Sequence, residues 1–261
     1  MKIYQVDAFT SKPYSGNPAW VTIVTEFSSV QDMQNIAMEM NLSETAFVRH
    51  TENDSYEIRF FTPSEEIDLC GHATLSSAHI LFTLGLISSG KIHFQANFEQ
   101  LYVVQSDQGY KMDFPLWKYK KTDDIKNAQQ IIGIHNILSV YDSDKKWKVV
   151  EVESKQELLD MKPNFWAMTG SEYGNVVATC AWDNNYDYYM RCFVTDCWIN
   201  EDPVTWSVEC LLAPLWSEKL SKSELKSFQC SKRGWEKHVI VTNNRVIISG
   251  QAVTMFRINI I

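Results

Sequence analysis

Two short segments place reactive side chains just ahead of helix-like apolar runs. One is Asp68-Leu69-Cys70-Gly71-His72-Ala73-Thr74-Leu75; the other, in the second half of the chain, is Glu201-Asp202-Pro203-Val204-Thr205-Trp206-Ser207-Val208. Each follows an Arg-x-Phe stretch of strand character, Arg59-Phe60-Phe61 and Arg191-Cys192-Phe193. The first turn of a helix has N–H groups without intrahelical partners and a partial positive charge, so it attracts a small anion such as a carboxylate. His72, with an ordinary pKa of about 6.5, can donate to that anion or shuttle a proton. A neutral histidine that merely caps its helix is the alternative. Gly71 has no side chain to keep a ligand away from the backbone. The recurrence predicts two related halves facing one another, with two helix N-termini bounding an anion pocket.

The elements that must hold these segments follow from periodicity. Residues 1–9 and 19–24 read as strands, 30–40 as a helix, and 45–49 and 56–61 as strands. The run 72–86 is apolar on most faces (Leu75, Ala78, Leu81, Phe82), as a helix wrapped by sheet must be. Strands return at 91–94, 101–105 and 111–114. The mixed Lys and Asp residues of 115–127 mark a boundary, which divides the chain into halves 1–116 and 117–261, the last strand being free to return to the first half. Beyond it, 147–152, 176–181 and 188–193 read as strands, 155–161 as a short helix and 207–220 as a second buried helix. Residues 237–242 and 244–248 form a hairpin across Asn243-Asn244, and 251–258 is the closing strand. The predicted fold class is α+β: two pseudo-symmetric halves, each a curled mixed sheet or barrel around a central helix.

Composition excludes several partners. The 261 residues are 45% hydrophobic, enough for one large core or two ordinary ones. The net charge is −8 and the one basic cluster is the short Lys118-Tyr119-Lys120-Lys121, so nucleic acid is not the expected ligand. No apolar run approaches the roughly 20 residues that span a bilayer, and residues 1–7 read as a strand rather than a signal peptide, which predicts no membrane partner and a cytoplasmic protein. Six cysteines without a secretion signal fit reduced thiols better than a disulfide scaffold, and their spacing predicts no metal site.

The set Gly16-Asn17-Pro18-Ala19, Asn41-Leu42-Ser43-Glu44-Thr45-Ala46-Phe47, Cys70-Gly71-His72-Ala73-Thr74, Glu201-Asp202-Pro203-Val204-Thr205 and Ser249-Gly250-Gln251-Ala252 resembles the PhzF-like proteins of phenazine biosynthesis. The motifs run in family order along nearly the whole chain. The resemblance implies the diaminopimelate-epimerase fold, with an active site between the halves, a homodimer, and isomerase chemistry with no metal and no organic cofactor. It implies a small-molecule carboxylate as substrate. By the same resemblance Glu44 is the catalytic acid/base, and His72 and Asp202 are its polar partners. Asn17, Gly71 and Ser207 bind substrate. Without the motif, Glu44 would read as an exposed strand-edge carboxylate; Asp202 equally suits a turn, and Ser207 a helix cap.

Cys70 aligns by resemblance with a catalytic thiol of diaminopimelate epimerase, but its counterpart in the second half is Thr205. Paired-thiol epimerisation is therefore disfavoured, and Cys70 reads as a packed, inert thiol. Trp206 departs from the family, which has glycine there. That departure motivates the alternative function, a small-ligand-binding or catalytically degenerate relative whose anion site is altered by the indole. The chain has 10 glycines, few for its length, so left-handed backbone positions must fall to other residues. Substrate specificity is expected in loops 95–100 and 181–186.

Overall fold

The computed structural model describes residues 1–97, 100–107, 109–181, 185–197 and 199–259. The chain forms two compact units, one of residues 1–114 with 247–261 and one of residues 115–246.

In the first unit Lys2–Ala8 pairs antiparallel with Asn17–Val24, which lies parallel to Thr45–Glu52. Thr45–Glu52 pairs antiparallel with Ser55–Phe61, which lies parallel to Lys91–Gln95, and this strand pairs antiparallel with Gln100–Ser106. Ala252–Asn259 returns to pair antiparallel with Lys2–Ala8. A parallel step needs a crossover, and helices supply both: Val30–Met40 for the first, Gly71–Thr83 for the second. Gly71–Thr83 is the central helix. Nine of its residues, from His72 to Leu81, are buried, as its nearly uniform apolar surface requires.

The second unit repeats that sequence of pairings. Ile137–Ser143 is antiparallel to Lys148–Val152, which is parallel to Asn175–Ala181; that strand is antiparallel to Tyr188–Val194, which is parallel to Glu224–Gln229, and the last pairs antiparallel with Trp235–Val241. The crossover into Glu224–Gln229 carries the second central helix, Glu209–Leu220. The two units are thus built alike, each α+β with a mixed sheet and one buried helix. The equivalence reaches individual side chains. Arg59 forms a two-pronged ion pair with Glu66 (2.7 and 2.6 Å) and lies 5.4 Å over the Phe61 ring. Arg191 does the same with Glu201 (2.7 and 3.0 Å) and lies 5.1 Å over Phe193. The Arg-x-Phe pattern is therefore a clamp: the guanidinium stacks on the ring two residues on, and its fork fixes the segment that leads into each central helix.

Several boundaries differ from the sequence expectation. The first central helix stops at Thr83, where Leu84 caps it and Gly85 turns left-handed (φ 68°). The second begins at Glu209, because Ser207 and Val208 are held in a tighter turn with Cys210 N–H donating to Ser207 O. The region 115–146, expected to open with a connector, contains strand Tyr119–Thr122, helix Ile125–Ile132 and strand Ile137–Ser143. Glu224–Gln229 is a further strand that periodicity missed. Pro214 sits inside the second central helix, where it cannot donate to Cys210 O; the N–H of Trp117 donates to that carbonyl instead, at 2.9 Å. Among the described residues six that are not glycine take positive φ, including the helix caps Asn41 (φ 48°) and Ser221 (φ 53°). No helix of the described residues is long and apolar enough to cross a membrane.

Candidate active site

The first unit brings four of the expected residues together. Asn17 begins its strand with its side chain wholly buried, and Glu44 stands just before strand Thr45–Glu52, its carbonyl accepting from Trp20 N–H at 3.1 Å. Gly71 and His72 open the central helix, and Cys70 stands at its N-cap without a side-chain capping bond, its thiol lying against the histidine. His72 Nε2 stands 2.8 Å from Glu44 Oε2, with 10% and 13% of the two side chains exposed. Ser43 Oγ lies 3.4 Å from the same nitrogen. On the other side of the ring, Nδ1 lies 3.3 Å from the Asn17 amide and 3.4 Å from Cys70 Sγ. Ser43 and Cys70 thus join the site by contact.

Charge in this cluster is settled by competition. Burial pushes the Glu44 carboxyl up, but the His72 charge and hydrogen bonds from His72 and Ser43 outweigh it, and Glu44 lies below the ordinary carboxylate value. Burial works against a charged imidazole as well, yet Cys70 and Glu44 raise His72 well above the ordinary histidine value. Burial, followed by the Glu44 charge, pushes the Cys70 thiol up, so the sulfur keeps its proton near neutrality. Glu44 and His72 therefore favour each other's charged forms at the helix N-terminus.

Asp202 and Ser207 belong to the second unit. The Thr205 hydroxyl donates to Asp202 Oδ2, Thr205 N–H donates to Gln229 Oε1 at 2.7 Å, and Gln229 Nε2 donates to the Asp202 carbonyl at 2.7 Å. Lys237 Nζ donates to the Thr205 carbonyl and, at 3.0 Å, to Gln229 Oε1. Gln229 and Lys237 therefore fix the backbone that carries Asp202. Neither was foreseen, although the alternation of strand Trp235–Val241 places Lys237 on the same inward face as Val239, a charge on an apolar stripe. Trp206 is buried at 3% exposure. Of the two loops expected to set specificity, residues 98, 99 and 182–184 lie outside the described residues.

A half-buried carboxylate beside a buried imidazole thus stands at the head of the first central helix of a doubled α+β scaffold. The chain belongs to the PhzC-PhzF family, described as phenazine biosynthesis-like proteins, whose family model matches residues 6–257. It is 39% identical over 98% of its length, and 96% of the relative's, to an uncharacterized isomerase of Halalkalibacterium halodurans. Among solved structures it is similar to a PhzF-family protein of Enterococcus faecalis, at 33% identity and TM-score 0.92, covering 98% of this chain and 97% of the other. A predicted epimerase from Pseudomonas aeruginosa shares the fold at TM-score 0.76 and 16% identity, covering 99% and 98% of the two chains.

Proposed function

We propose that the protein is an isomerase that moves a proton on a carbon atom of a small carboxylate-bearing substrate, with Glu44 and His72 as the acid/base pair. The observation that carries this reading is their 2.8 Å contact inside a buried cluster. A carboxylate held in its charged form can accept a proton from carbon, and the adjacent imidazolium can deliver one. Gly71 exposes the helix N-terminus to the substrate carboxylate, whose charge the unpaired N–H groups balance. The family resemblance assigns substrate binding to Asp202 and Ser207 as well, and Gln229 and Lys237 hold the backbone that carries Asp202. Each step is performed by side chains and backbone, so the reaction as read calls for no cofactor. The isomerase names of relatives support the same class.

The test is proton exchange with solvent. Small carboxylic acids that carry an acidic C–H beside a double bond are incubated with enzyme in D2O and followed by proton NMR. Deuterium should enter one of them with the native protein and not with Glu44→Gln, while binding of that acid is largely kept. Unchanged exchange in Glu44→Gln would remove Glu44 from the mechanism. The departure of Trp206 from the family residue gives the second reading, ligand binding without turnover. In that case an aromatic acid quenches tryptophan fluorescence saturably with no exchange, and Trp206→Gly switches exchange on.

A further inference from the structure

The same cluster has a second chemical capacity, independent of proton transfer. Glu44, Cys70 and His72 each offer one ligating atom, and these atoms all lie within 4.8 Å of one another. Cys70 Sγ is 3.8 Å from His72 Nε2, which is itself 2.8 Å from Glu44 Oε2. Zinc bonds of about 2.3 Å to sulfur and about 2.0 Å to nitrogen or oxygen set tetrahedral ligand atoms roughly 3.2–3.7 Å apart. The observed spacings lie on either side of that range, and rotation of the Cys70 side chain, whose sulfur now rests 3.4 Å from Nδ1, would bring the three atoms onto one ion.

The donors are also of the right kind. Thiol sulfur and imidazole select zinc, cobalt or copper over magnesium and calcium, whose sites are built from oxygen. Glu44 Oε2 is buried and faces His72 Nε2 at 2.8 Å, and a carboxylate oxygen has a second lone pair to offer an ion. The Asn17 amide nitrogen lies 3.3 Å from Nδ1, with Nε2 turned toward Glu44. Three protein ligands leave a fourth tetrahedral position for water or a carboxylate.

We propose that Glu44, Cys70 and His72 form a binding site for a thiophilic divalent cation, represented by zinc, which takes the place between the acid/base pair and blocks it. The blocking rests on the isomerase reading above; the binding does not. The C-x-H spacing with a distant Glu matches no sequence metal motif, which is why only the fold reveals it.

Cobalt is the probe, titrated into the whole chain under reducing conditions. One equivalent should produce the near-ultraviolet band of a cobalt–thiolate bond together with tetrahedral visible bands, and zinc should displace it. Cys70→Ser, shown to be folded by circular dichroism, should lose the thiolate band. Glu44→Gln should keep that band and weaken cobalt binding at least tenfold. Cys192→Ser should bind as the native chain does. No band in the native chain, or a band that survives in Cys70→Ser, overturns the site. Proton exchange that persists with zinc bound overturns the blocking alone, whereas exchange that needs Glu44 in a chain that ignores cobalt overturns the site and leaves the isomerase reading standing.

Discussion

Lys237 Nζ lies 3.1 Å from Glu209 Oε1, and neither side chain has any surface exposed to solvent. Ser227 Oγ at 3.0 Å and the Tyr188 hydroxyl complete the shell of Glu209. Such a pair gains little over an apolar replacement, but losing one partner strands the other charge in the core. Lys237→Met should therefore cost about 3–5 kcal/mol in urea unfolding, and Glu209→Gln added to it should restore a large part. A single-substitution loss below about 1 kcal/mol would contradict a buried charge pair.

The pH response of the Glu44–His72 contact has two limbs of opposite sign. His72 is raised, so its contribution is complete below the ordinary histidine value and is lost as pH climbs through its folded pKa. Glu44 is lowered, so its contribution is present above the ordinary carboxylate value and is lost as pH falls through its folded pKa. Nitrogen NMR of the ring should show His72 doubly protonated at neutral pH, and losing that proton at lower pH in Glu44→Gln. A neutral native ring at pH 7 would refute the pairing.

Gly109 has φ 118°, and a Cβ built there would meet the Gly250 carbonyl at 2.5 Å. Neither the dihedral nor the space suits alanine. Gly109→Ala should destabilise the protein by about 1–3 kcal/mol, read as a lowered Tm. An unchanged melting curve would mean that the backbone at 109 moves freely away from Gly250.

The Trp117 amide lies outside regular structure but donates into the helix gap left by Pro214. Its hydrogen exchange should be as slow as that of the Glu209–Leu220 interior. Exchange at the rate of a free loop would show that the gap is filled by water.

Much of this architecture was legible because it is local. The Arg-x-Phe strands, the apolar helices and the duplication all show as sequence pattern, and the family motifs named Glu44 and His72 together. What escaped is set by distant contact. The Ile137–Ser143 strand buries Ile137, Ser139, Val140 and Tyr141, so serine interrupts its apolar run, and the helix Ile125–Ile132 buries just Ala128 and Ile132. Glu209 and Lys237 escaped because charged residues are normally solvated and the partners that satisfy them here are distant in sequence. Cys70 reads as inert from composition; its relation to Glu44 and His72 needs the fold.

The twin clamps, Arg59 on Glu66 and Arg191 on Glu201, share one geometry in two different settings. Removing Arg59 deletes a two-pronged pair and its ring contacts; removing Arg191 deletes a like pair and, in addition, its bonds to the Leu158, Leu159 and Met161 carbonyls. The second clamp therefore also ties a neighbouring chain segment to its strand, so a lost guanidinium loosens more of the fold there than it does in front of the Glu44–His72 contact.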